Sequence, residues 1–299
     1  MESIWARLES YNESTHDTNS LVVLDEHQER FTLRIGKDQK LKIGELYYFE
    51  LIPMVFKDRD TFKVKDFYKV EDMNLSLEGK FDQLKKFYPT SSVGLYALKT
   101  KMDAAINSIK NPAILKITEK LYKPYEEMFL LYPAATKFHH AFIGGIAHHT
   151  ASMLTMMEGF LTSYPFLNRD LLTAGIILHD LFKVDELSHY KDPHYTKIGK
   201  LIGHITLGAQ AIYHAAHELG LEESEERLLL EHMVLTHHYY GNFGSPKKPN
   251  LAEALALHFI DNIDAKFVVL EESLDTIKPG EFTPSLQIID RERFYKPKL

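Results

Sequence analysis

The chain has no cysteine among its 299 residues. That excludes a disulfide framework and any thiolate ligand, so a bound metal would have to be held by His, Asp and Glu. A run of eighteen apolar residues is also missing, and with it the length a membrane helix needs. The opening residues, MESIW, lack the basic start and apolar core of a secretory signal. A cytoplasmic, membrane-free protein is the expectation. Excess positive charge is absent too. A net charge of −7 argues against a surface that grips nucleic acid all over. It leaves room for a local basic groove. There is no internal repeat and no low-complexity segment.

What is present is ordinary in bulk and unusual in one residue. Apolar content of 44% and charged content of 26% suit a soluble globular chain, long enough for one large or two ordinary domains. Residues 1–72 read as β. RFTLRI (30–35) alternates with Phe31, Leu33 and Ile35 on one face. LYYFELI (46–52) is aromatic and branched; TFKVK (61–65) alternates; FYKV (67–70) follows after a break. The polar links at 25–28 and 57–60 separate these runs. Short strands with tight links predict a small barrel or sandwich, and five in this length suit an OB-like barrel. Residues 73–92 read as a polar connector, 93–277 as helical, and 278–299 as an irregular tail. The fold class expected is α+β in two domains, a small N-terminal β-barrel followed by an all-α domain. Asn111-Pro112 reads as a cap and first helical residue, with Pro124 kinking or ending that helix. Lysine outnumbers acid from 80 to 123, which is either a solvated face or a phosphate-tracking surface.

The unusual residue is histidine. Of sixteen, fourteen lie between His139 and His258. The segment IILHDLFK (176–183) places His179 and Asp180 at the end of an apolar run. A carboxylate there would be buried, and a buried carboxylate needs a partner or a metal. Five helical places offer ligands: His149, the pair His179 and Asp180, His204, His237 or His238, and Asp261. They are separated by about one helix and its turn, as in metal sites built inside helical bundles. Four histidines and two aspartates exceed one tetrahedral zinc. They suit two divalent cations bridged by Asp180, with manganese, iron or zinc favoured by the mixed nitrogen and oxygen donors. Of the last histidine pair, His237 is the favoured ligand, leaving His238 to face substrate. Lys183 is either a phosphate contact or a snorkelling surface lysine. His148 is expected to face away. His214, His217, His232 and His258 read as surface or core histidines, and His139 and His140 as structural rather than substrate-contacting.

These residues match a known pattern. His149, then His179-Asp180, then Asp261, resembles the HD superfamily of metal-dependent phosphohydrolases. His204 and His237 are similar to the additional ligands of its six-ligand, two-metal branch. FHHAFIGGIAHHT (138–150), YTKIGKLIGHI (195–205), LTHH (235–238), YGNFGSPK (240–247) and HFIDNIDAK (258–266) resemble the YhaM-type 3′–5′ exoribonucleases. The resemblance covers residue 90 onward by motif and the first 72 residues by architecture. It implies an OB-type domain before an HD domain. It also implies a metal-dependent phosphodiesterase that removes nucleotides from the 3′ end of single-stranded RNA, with DNA a second candidate substrate. Asp180 and Lys183 are then the catalytic residues. The rival readings are a nucleotide or cyclic-dinucleotide phosphohydrolase and a non-catalytic nucleic-acid-binding protein. Two features depart from the pattern. Phe182 stands where many HD proteins have glycine, so it either narrows the pocket or packs outward. The N-terminal domain lacks a basic strand face, although Tyr47, Tyr48 and Phe49 offer either stacking surfaces or barrel core. Oligomeric state is open, a homo-oligomer included.

Overall fold

A computed structural model of the chain describes residues 3–15, 17–137 and 140–299. The chain divides into two compact units, Met1–Thr90 and Ser91–Leu299. His139, weighed above as a substrate contact, lies outside the described residues.

In the first unit, five strands close on themselves: β1 (Ser3–Asn12), β2 (Thr18–Leu24), β3 (Arg30–Gly36), β4 (Leu46–Phe56) and β5 (Arg59–Lys69). Their order is β1-β2-β3-β5-β4, the closed OB-like barrel the sequence predicts. Only the β3–β5 pairing is parallel among the described strands, with Leu33 opposite Phe62. Closure leaves no long unpaired edge. Period-two alternation sends Leu8, Leu21, Val23, Leu33, Ile35, Phe49 and Val64 into one core. Tyr47 and Phe49 belong to that core, which removes them as stacking surfaces. Tyr48 is half-buried, its ring 5.3 Å from that of Trp5.

Two local expectations are revised here. The runs at 61–65 and 67–70 are one strand, β5. Its partner register passes from Glu50–Asp66 to Leu51–Val64, so Lys65 is an extra residue. Such a bulge flips the alternation and makes one strand read as two. The connector at 73–92 holds a helix, α1 (Leu77–Lys85), capped by Ser76, whose Oγ accepts from the Gly79 amide at 3.1 Å. Its buried Phe81 and Leu84 are too few to stand out in a polar stretch.

The second unit is helical: α2 (Leu95–Asn107), α3 (Pro112–Leu131), α4 (Gly145–Ser163), α5 (Arg169–Leu178), α6 (Lys183–Glu186), α7 (Lys197–Leu201), α8 (His204–Glu218), α9 (Glu225–Thr236) and α10 (Ala252–Asp275). Starts follow their caps. Asn111 accepts from the Ala113 and Ile114 amides, Asn168 from Leu171 and Ser224 from Arg227. Pro124 does not end α3, which continues to Leu131. Packing against α4, α5 and α8 outweighs the backbone bond that proline forfeits. At the centre lies α5, in contact with α2, α3, α4, α9 and α10. Every residue from Leu171 to Leu178 is buried, as a helix apolar on all sides should be. The tail is more ordered than expected. It folds back through Phe282–Tyr295 and Leu286–Glu292 bridges. Its Lys296 ammonium donates to the Leu274 and Ile277 carbonyls, closing the end of α10. Among the described residues no helix is long and apolar enough to cross a membrane.

The loop from α3 to α4 approaches its own backbone at Gly145. A Cβ there would lie 2.0 Å from the His140 carbonyl oxygen and 2.8 Å from the Ala134 nitrogen. Neither atom can rotate aside. Gly145→Ala is therefore expected to destabilise the chain by about 3 kcal/mol, a fall of roughly 6 to 12 °C in Tm by calorimetry.

Candidate metal centre

The central helix α5 ends at Leu178, and its last turn delivers His179 and Asp180 into the middle of the helical unit. Both are essentially buried, 1% and 2% exposed. Around them stand His149 from α4, His204 at the first residue of α8, His237 just past α9, and Asp261 from α10. The structure thus brings all six candidate ligands into one pocket. His149, His179 and Asp261 form one group with ligand atoms within 4.8 Å of one another, and His204, His237 and His238 form a second.

Asp180 lies between the groups and divides its oxygens. Oδ2 is 3.4 Å from His179 Nε2 and 4.0 Å from His149 Nε2. Oδ1 is 3.4 Å from His204 Nε2 and 3.9 Å from His237 Nε2. His149 Nε2 is also 3.2 Å from Asp261 Oδ1.

All four imidazoles are turned the same way. Nδ1 of His179 donates to the Ile176 carbonyl and Nδ1 of His237 to the Val234 carbonyl, both at 2.7 Å. Nδ1 of His204 is 2.8 Å from Glu186 Oε2, and Nδ1 of His149 is 2.7 Å from Asp264 Oδ2. Each ring is held by its outer nitrogen, so each Nε2 faces inward. Three of those inward nitrogens, on His179, His204 and His237, make no hydrogen bond, nor does Asp180 Oδ1. Buried polar atoms without partners are costly and rare. A converging set of them, backed by carboxylates and carbonyls on the far nitrogens, is the donor pattern of a divalent-metal site. The residues fit such a cation.

Electrostatics agree. Burial alone would push the Asp180 carboxyl up; the Lys183 ammonium and His179 outweigh it and hold it well below the usual carboxylate range. Lys183 Nζ donates to Asp180 Oδ2 at 2.7 Å, and although burial opposes its charge this contact raises its pKa. Burial and the neighbouring His238 and His179 hold His237 well below its ordinary value, in the neutral form a metal requires. Burial opposes charge on His149 as well, yet hydrogen bonds to Asp261 and Asp264 push it up to about 9.

Other residues sort themselves by contact. His237 is fully buried and near Asp180, whereas His238 is half-buried, with its ring 5.5 Å from His204. His148 turns to Ser91, its Nδ1 3.1 Å from the hydroxyl. His214 and His217 are exposed, and His232 accepts from the Asn250 amide. Phe182 packs edge-on against Tyr125 in the core, ring centres 5.4 Å apart. Part of the lysine excess is a paired face: Lys99 meets Asp103 and Glu126, Lys120 meets Glu218, and Lys123 meets Glu119.

Four residues stand behind the candidate ligands: Glu186 and Asp264, given no role from sequence, and His140 and His258, read there as a structural histidine and as a surface or core one. Glu186 and Asp264 orient His204 and His149. His140 supports Asp264, its Nε2 2.8 Å from Oδ2. His258 donates from Nδ1 to the His237 carbonyl at 2.7 Å. The available signal was spacing: Asp264 follows Asp261 by one helical turn, and Glu186 follows Lys183 likewise.

The HD domain family matches residues 146–266, the span that holds all six candidate ligands. The "3′-5′ exoribonuclease YhaM" of Geobacillus sp. (strain WCH70) is 43% identical over 252 residues, covering 84% of this chain and 78% of that protein. Proteins of the same name from Bacillus pumilus (strain SAFR-032) and Bacillus subtilis (strain 168) are 40% and 39% identical over 260 residues, 87% of this chain and 82% of each relative. The chain belongs to the YhaM family. Within it, the barrel followed by an HD domain is the architecture that the motifs implied.

Two outcomes follow from the orienting bonds. Asp264→Asn and Glu186→Gln should each weaken divalent-cation binding about 10- to 100-fold with the fold retained, measured by manganese titration and melting curves. Cation binding should also expel a proton from His149. Below pH 9 that imidazole is protonated, so affinity should fall as pH drops from 9 towards 6, by about tenfold per unit. Calorimetry in buffers of different ionisation enthalpy reads the released proton directly.

Proposed function

We propose that the chain is a metal-dependent phosphodiesterase that removes nucleotides one at a time from the 3′ end of single-stranded RNA. The observation that carries this reading is the division of the Asp180 oxygens between two groups of inward-facing histidines. His149, His179 and Asp261 would hold one divalent cation, His204 and His237 a second, with Asp180 shared. Manganese is the first choice for this mixed donor set, iron and zinc the next. Bound cations supply Lewis acidity towards the scissile phosphate and lower the pKa of water. The protein's own part is to place and to neutralise. The carbonyl and carboxylate anchors keep each imidazole aimed inward without reorganisation. Lys183, still 13% exposed at the pocket's edge, sets its ammonium beside the phosphate to offset charge as the bond breaks. Relatives named as 3′-5′ exoribonucleases support the direction and the polymer.

The test uses unstructured RNA labelled at its 5′ end, with manganese, iron, zinc or magnesium. A ladder shortening by single nucleotides is expected, together with mononucleotide released at once from 3′-labelled RNA. Internal fragments, or no release with any cation, would refute the proposal. DNA of the same sequence shows whether the sugar matters. Asp180→Asn keeps the side-chain shape but loses the shared charge, and should lower the rate by about a thousandfold or more.

A further inference from the structure

The turn after His238 has properties that the metal centre does not require. Tyr239 is in the left-handed region at φ 64, a strained conformation for a bulky side chain. Strain of this kind persists where the surroundings enforce it and clusters at functional sites. Here the enforcement is visible. The Tyr239 amide donates to the Thr236 carbonyl and the Tyr240 amide to that of His238, at 2.8 and 2.7 Å. The Tyr239 ring lies 5.0 Å from that of His258, which in turn holds the His237 carbonyl. Further along, Gly244 at φ 98 passes so close to Ile205 that a Cβ would sit 3.3 Å from its Cδ1. Ile205 is the neighbour of His204. The turn is therefore pinned at both ends to the histidines of the second group.

What it presents outward is aromatic and basic. Tyr240 is 50% exposed. Lys247 and Lys248 are exposed, and the Lys248 ammonium lies 5.0 Å above the Tyr239 ring. An exposed ring next to cations is how proteins hold single strands without reading their sequence, because every base offers a π face and every link a phosphate. Elsewhere along the helical unit, Lys99 of α2 and Lys120 and Lys123 of α3 are paired with acids.

We propose that this turn is the subsite for the terminal nucleotide: the Tyr240 ring stacks on the last base, and Lys247 and Lys248 pair with backbone phosphates. It rests on the RNA reading above and adds where the strand's end is gripped. Base identity should matter little there.

The test uses the full chain and an RNA oligomer ending in 2-aminopurine, whose fluorescence is quenched by stacking. With chelator present to stop turnover, binding to the wild type should quench the probe. Tyr240→Ala should abolish the quench and weaken binding about tenfold, equivalent to about 1.4 kcal/mol. Tyr240→Phe should restore both. With cations, Tyr240→Ala should raise KM by a similar factor and change kcat far less. An oligomer with an abasic 3′ end should raise the wild-type KM equally and that of Tyr240→Ala no further. Equal quenching by wild type and Tyr240→Ala, or wild-type binding without quenching, overturns the subsite. Quenching without nucleotide release under any cation overturns the hydrolase reading and leaves the subsite standing. No RNA binding by the wild type overturns both.

Discussion

Everything in the helical unit answers to one buried carboxylate. Asp180 sits at the end of a helix that is apolar on every side, where an unpaired charge would cost several kilocalories per mole. The protein compensates by crowding it with one ammonium and four imidazoles. Those groups arrive from α4, α5, α6, α8 and the end of α9. Helix packing and site chemistry are thus the same problem, because moving any of these elements outward would strand the charge.

Orientation is the second requirement, and it is met by an outer ring of acceptors. Two of the four imidazoles are anchored by backbone carbonyls of their own helices, three residues earlier. The other two depend on carboxylates, Glu186 and Asp264. Carbonyl anchors come with the helix and need no particular side chain. Carboxylate anchors are side chains, so they can be lost without disturbing the helix. The Asp264 side chain is itself braced by His140, from a loop whose return is narrow enough to demand glycine at 145. A substitution at Gly145, which is not itself a candidate ligand, can therefore reach the centre through three contacts.

The turn at Tyr239 differs in kind. Its rings and lysines do not neutralise Asp180, and its backbone is held in a costly conformation. Helices hold the buried histidines and aspartates, and a pinned loop presents Tyr240, Lys247 and Lys248 to solvent. That division is common where a scaffold positions chemistry and loops meet the substrate.

Much of this was legible in order along the chain. Alternation in RFTLRI, the caps at Asn111 and Asn168, and the apolar run before His179 are local signals, and local signals survive in sequence. Where one residue interrupts a local rule, legibility fails: the bulge at Lys65 split one strand into two, and the sparse apolar positions of α1 disappeared into a polar stretch. Sequence by itself determined the donor types, their placement on separate helices and the absence of thiolate. Only the tertiary structure decided that His237 faces Asp180, that each carboxylate oxygen meets a different histidine group, and that Glu186, Asp264 and His140 stand behind the rings. The reason is distance along the chain. His149 and Asp264 are partners across more than a hundred residues, and no periodicity within either helix records which side chain the other will meet.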